Sequence, residues 1–249
     1  MESEGRRLHG LAEQARESGD FTRALELTDQ ATVSYQQGGD SLGFAEVQAS
    51  RFLTLRHLFE KTDDKNYLIL AKHTAMASVE LAQASGDKQA LALPLFNLAK
   101  AQETLGELPD AVATYQKAVE NIINNPPEPH KRAAIVADFK VHLETCAYKA
   151  GDKSALERAE KALVELEAVP VLSDEDFEAG GKKLEFNQEV AYNKDVWVSG
   201  GHMRIAEMLR EDDPPQAKEH LQKAKEIIDA NPQLKLRLAQ WEKLATTFK

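Results

Sequence analysis

The segment spanning residues 95–127, LFNLAKAQETLGELPDAVATYQKAVENIINNPP, constrains the fold more than any other stretch because it reads as one complete helix-turn-helix unit. Leu95, Leu98, Ala99 and Gln102 fall on one helical face at three- and four-residue steps. Gly106 then stops the helix, since glycine enters the left-handed conformation of a C-terminal cap without a Cβ penalty. Pro109 suits the first turn of a second helix, and Ala111, Tyr115 and Ala118 form the stripe that packs back on the first. Pro126 and Pro127 end the unit.

The same plan recurs along the chain. Leu8, Leu11, Ala12 and Ala15 precede Gly19, and Phe21, Ala24, Thr28 and Ala31 follow it, so Gly19 to Ala24 repeats the step from Gly106 to Ala111. Near the C-terminus Ala217, Leu221, Ala224 and Pro232 reproduce the spacing of Ala111, Tyr115, Ala118 and Pro126, with Pro214 and Pro215 at the helix start. Two further units carry weaker signatures. One has Ala71, Ala75 and Ser78 as its small stripe; the other sets Phe139, Leu143 and Ala147 before Gly151 and Ala155, Ala159 and Ala162 after it.

These small and large apolar positions, with glycine at the turn, resemble the tetratricopeptide repeat. The resemblance implies an all-α fold, a right-handed superhelical solenoid of antiparallel helix pairs closed by a C-terminal capping helix. Its expected limits are a single domain over 1–249, with units at 3–38, 41–84, 88–127, 129–168 and 184–230, an irregular loop at 169–183 and the cap at 232–248. Within the fifth unit, residues 184–209 read as one long helix, with Gly200 and Gly201 as a point of close helix packing or a kink. In the cap, Leu234, Leu238, Trp241, Leu244 and Ala245 share one face, as a terminal helix must to shield the last apolar surface of an array.

Composition narrows the chemistry. Lys and Arg total 31 against 41 Asp and Glu, a formal net charge of -10, and no stretch is dominated by basic residues. A phosphate backbone needs a basic face to displace its counterions, so a nucleic-acid partner is not expected. Apolar runs fall far short of the roughly 20 residues that span a bilayer, and no membrane partner is expected either. Cys146 is the one cysteine, which removes disulfides and cysteine-based zinc sites, fits a cytoplasmic chain, and reads as a buried small hydrophobe on its helix.

Catalytic signatures are not found. No Gly-x-Ser-x-Gly turn occurs, the seven histidines do not form HExxH, and Asp174, Glu175, Asp176 and Glu178 lack the spacing of a calcium loop. Neither an enzyme nor a cofactor or metal is expected. The resemblance instead implies a protein or peptide partner held in a concave groove lined by the first helix of each pair. Asn97 matches a family position whose amide bonds the ligand backbone, and Lys100 lies about one turn along the same face. His9 and Glu13 occupy comparable positions in the first unit. Arg51, which interrupts the apolar run ASRFLTL, and His142, Tyr148 and Arg204 complete the candidate set. Glu13 stands where the family's chaperone-tail clamps would carry Asn, and its carboxylate would repel a terminal carboxylate. A scaffold for a protein segment is therefore the leading expectation. A regulator that changes curvature on binding a short signalling peptide is the second.

Overall fold

A computed structural model describes residues 3–172 and 184–248. The described residues are mainly helical, and their contacts gather into two compact units, Met1–Pro127 and Glu128–Lys249.

The first unit holds six helices: α1 (Glu4–Glu17), α2 (Phe21–Gly38), α3 (Ser41–Thr62), α4 (Lys65–Ser85), α5 (Ala92–Thr104) and α6 (Leu108–Asn124). Successive helices form three hairpins, α1 with α2, α3 with α4 and α5 with α6. Contacts of α1 with α3 and of α3 with α5 set the first helices of the hairpins side by side. The small stripe makes this possible. Ala111, Tyr115, Ala118 and Ile122 of α6 are buried, as are Ala24, Thr28 and Ala31 of α2. Leu11 lies outside the core at 37% exposure, while Leu8 and Ala12 supply the packing in the first hairpin.

The turns explain why the glycine spacing repeats. Gly19 and Gly106 share a φ of 81°, and each closes its helix with the same pair of backbone bonds. The Gly19 N–H donates to the Arg16 carbonyl and that of Asp20 to Ala15; the Gly106 N–H donates to Glu103 and that of Glu107 to Gln102. This is the Schellman arrangement, which satisfies carbonyls that the helix leaves open. In the first and second hairpins aspartate then starts the next helix, with Asp20, Asp40 and Asp64 side chains accepting from backbone N–H groups. The second hairpin has no glycine at its turn, and Asp63 takes the left-handed conformation instead, at φ 58°.

The described helices of the second unit are α7 (Ala133–Lys149), α8 (Ala155–Glu167), α9 (Ala191–Leu209), α10 (Pro214–Ala230) and α11 (Lys235–Ala245). α7 pairs with α8 and α9 with α10, and α9 also packs on α7 and α8. Cys146 is fully buried on α7, as its apolar helix requires. The cap of residues 232–248 is α11 together with Leu234, with Leu234, Leu238, Trp241 and Leu244 gathered over Met203, Ala224 and Ile228.

One expectation for the fifth unit is corrected. Residues 184–190 are not helical; α9 starts at Ala191, and Glu189–Val190 pairs in parallel with Val171–Leu172. A turn at 186–187 leads into that pairing, and at its end the buried Glu189 carboxylate accepts from the Val190 N–H and the Asn193 amide, tying the strand residue to the first turn of α9. Of close packing and a kink at the glycine pair, the structure has the first, and α9 runs through it unbroken. A Cβ on Gly201 would come within 2.8 Å of Leu163, so glycine there is a close-packing position. The acidic run at Asp174, Glu175, Asp176 and Glu178 lies outside the described residues.

Candidate functional site

Within the first unit, the aligned first helices bring His9 and Glu13 of α1 beside two residues that periodicity alone does not single out, Tyr35 of α2 and Glu46 of α3. Tyr35 is only 3% exposed. Its ring lies between Gly5 of α1 and Gly43 of α3: a Cβ on Gly5 would reach 2.9 Å from the ring, and one on Gly43 would overlap it more closely. The His9 ring meets it edge-on, with centroids 6.4 Å apart. The Tyr35 hydroxyl and His9 Nε2 are both buried without a hydrogen-bond partner. Glu13 Oε1 stands 3.9 Å from His9 Nε2 and 3.9 Å from an Arg16 guanidinium nitrogen, within electrostatic reach of both.

Burial dominates the titration of this group. It pushes His9 below the ordinary histidine value, with Glu13 opposing and Arg16 and Arg6 reinforcing the shift. Burial raises the Glu46 carboxyl, against the opposing charge of Arg6 and with the support of Asp40 and Glu13. It raises Tyr35 as well. A neutral imidazole, a carboxyl slow to ionise and an unsatisfied phenol thus converge where α1, α2 and α3 meet, the combination that marks candidate binding sites. The signal for Tyr35 was available in Gly5 and Gly43, two glycines inside helical patterns where each costs up to about 1 kcal/mol relative to alanine.

The remaining expected residues of the first unit are placed differently. Asn97 of α5 is 4% exposed, so its amide is inside the unit. Lys100 sets its ammonium 4.9 Å from the Phe96 ring centre, and Phe96 stacks edge-on against Tyr115, whose hydroxyl donates to Glu103 at 2.9 Å. Arg51 spans three helices: its Nε donates to Asp29 Oδ1 at 2.8 Å and a terminal nitrogen donates to Thr74 Oγ1 at 2.9 Å.

In the second unit, His142 is mostly buried, with Nε2 3.9 Å from Asp138. Tyr148 donates to Asp212 at 2.7 Å while Lys153 lies over its ring at 4.1 Å and pairs with the same carboxylate. Arg204 lies half-buried on α9. Two polar constellations here escape periodicity. Glu189 is fully buried; one carboxylate oxygen accepts from Arg132 at 2.6 Å, and the other has no hydrogen-bond partner. His202 Nε2 lies 2.8 Å from Glu167 and its Nδ1 lies 2.9 Å from His220 Nδ1. These atoms do not converge on one point, and among the described residues no group of three or more His, Cys, Asp or Glu is arranged to hold a metal. Among the described residues no helix is long and apolar enough to cross a membrane.

Neither a family model nor a curated protein matches the chain.

Proposed function

We propose that the chain is a non-catalytic interaction module of tetratricopeptide type, binding a peptide or protein segment on the face made by the first helices of its hairpins. The right-handed superhelical stacking of that family and a cytoplasmic setting belong to the same reading. The observation that carries it is the pairing of two buried polar atoms without partners, the Tyr35 hydroxyl and His9 Nε2, beside exposed Glu13 on that face. An unsatisfied buried polar atom costs about 1–3 kcal/mol, and a ligand's backbone amide or carbonyl would recover it. Lys100 extends the face in the third hairpin. Selection of a displayed random-peptide library on the full chain should enrich binders. Their affinity should fall about tenfold or more in His9→Ala and Tyr35→Phe chains that keep the parent unfolding midpoint. Absence of any enriched binder, or binders indifferent to these changes, would overturn the reading.

A further inference from the structure

The outward side of α4 differs from that of every other second helix in the two units. Ile69, Leu70, Met76 and Leu81 are 44%, 50%, 37% and 43% exposed, and His73, Ala77 and Ala84 lie exposed among them. At 100° per residue these positions form one stripe along the whole helix, interrupted by three polar members, Asn66, His73 and Glu80. By contrast α2 turns Arg23, Glu26 and Asp29 outward, α6 Asp110, Lys117 and Glu120, and α10 Lys218, Glu219 and Lys223, each with at most one large apolar residue exposed at its surface. A contiguous apolar stripe on one helix marks a contact surface.

We infer that this stripe is the self-association surface of the protein, pairing α4 antiparallel with α4 of a second copy about a two-fold axis at His73. Charge matching selects this occupant and this register. With the axis at His73, Ile69 meets Ala77 of the second copy, Leu70 meets its Met76, and Glu80 meets its Asn66 and the neighbouring Lys65. A slip of about one turn in one direction would set Glu80 against Leu70 or Ile69, burying a carboxylate on hydrocarbon. A slip in the other would set it against Asp63 and Asp64, like against like. Only the centred register sets His73 on its own copy at the axis, apolar on apolar to either side and acid on base at both ends, as an isologous interface requires. Lys65 and Glu80 are roughly 22 Å apart along one helix at about 1.5 Å per residue, so within a copy they cannot pair. The stripe is one helix wide, which places the contact at the small, reversible end of the interface range, below about 1,200 Å² in total.

Sedimentation velocity of the full chain, from about 1 μM to about 1 mM, should show a monomer converting to a dimer with concentration. Leu70→Glu with Met76→Glu should hold the chain monomeric throughout at an unchanged unfolding midpoint, because both side chains are exposed. Glu80→Lys and Lys65→Glu should each weaken the dimer about fivefold, and the two together should restore it, since exchanged charges meet again across the axis. Three results would each overturn the proposal: a monomer at every concentration, a dimer that survives the Leu70→Glu and Met76→Glu changes, or a charge exchange that fails to restore association. It stands independently of the peptide-binding face, which the α4 changes leave intact.

Discussion

His202 and His220 share a hydrogen bond between their Nδ1 atoms, 2.9 Å apart in a buried site of the second unit. His202 Nε2 faces Glu167 Oε1 at 2.8 Å, so with both rings neutral its Nε2–H donates to the carboxylate and its Nδ1 accepts from His220 Nδ1–H. That assignment satisfies both bonds without a charge between the rings. A proton added to His220 would have to sit beside His202 and within range of Lys223, and burial already pushes His220 down to about 4.

The sign of the pH dependence follows. An unfolded histidine titrates near about 6.5, so between that pH and about 4 the unfolded chain binds protons that folded His220 refuses. Acidification through this window therefore favours unfolding, by up to about 3 kcal/mol from His220 alone. His130, also held to about 4 by burial and by Arg132, adds in the same direction, while the raised Glu46 carboxyl opposes both. Urea unfolding at about pH 7 and about pH 5 should show the loss, and His220→Leu should reduce the difference between the two conditions. A parent chain equally stable at both would refute the neutral pair.

Tyr35 makes a second, steric prediction. Gly43→Ala drives a methyl group into its ring, and overpacking of this kind costs about 1–3 kcal/mol, more than the helix propensity gained. Gly10 lies on α1 with nothing within 4 Å of its Cβ position, so Gly10→Ala should stabilise by about 0.5–1 kcal/mol. Opposite shifts in unfolding midpoint for two identical substitutions are the expected result; shifts of the same sign would exclude the clamp.

This contrast shows what was readable in the chain. The framework stripe Ala111, Tyr115, Ala118 and the cap glycines Gly19 and Gly106 depend on neighbours within one hairpin, so their spacing reports burial directly. The Tyr35 clamp draws on three helices: Gly5 and Gly43 are visible as glycines in helical patterns, but so is Gly10, and only the packing tells them apart. Asn97 carried a groove assignment by position along α5, yet rotation of the helix in its packing decides which side of the stripe it occupies, and it is buried. Residues 184–190 have helical composition, but they make a turn and then the two-residue pairing at Glu189–Val190, where a buried carboxylate meets an arginine 57 positions away.

That pair supplies a third prediction. Arg132→Met would leave Glu189 charged, fully buried and without its cation, at a cost of about 3–5 kcal/mol. Arg132→Met combined with Glu189→Leu removes both charges and should recover much of that loss, since a buried ion pair replaced by apolar residues is often neutral in energy. Chemical denaturation of the two single variants and the double variant closes the cycle. Additive losses would show that the two side chains act separately.

The cap supplies the last. Trp241 donates its indole N–H to the Leu221 carbonyl at 2.8 Å, and Leu238 and Leu244 join it over Met203, Ala224 and Ile228. The carbonyl belongs to α10, so the bond fixes α11 against the hairpin as the apolar contacts cover it. Removing residues 232–249 uncovers that surface and lays open side chains now 8% exposed or less, each worth about 1.5–3 kcal/mol when a large apolar group is fully buried. The truncated chain should aggregate or melt many degrees lower. Trp241→Ala, which keeps Leu234 and Leu238, should cost about 2 kcal/mol through the lost ring contacts and the lost indole hydrogen bond, the Leu221 carbonyl keeping its place in the helix. A truncated chain that stays dispersed with the parent melting temperature would show that the hairpin of α9 and α10 is complete without its cap.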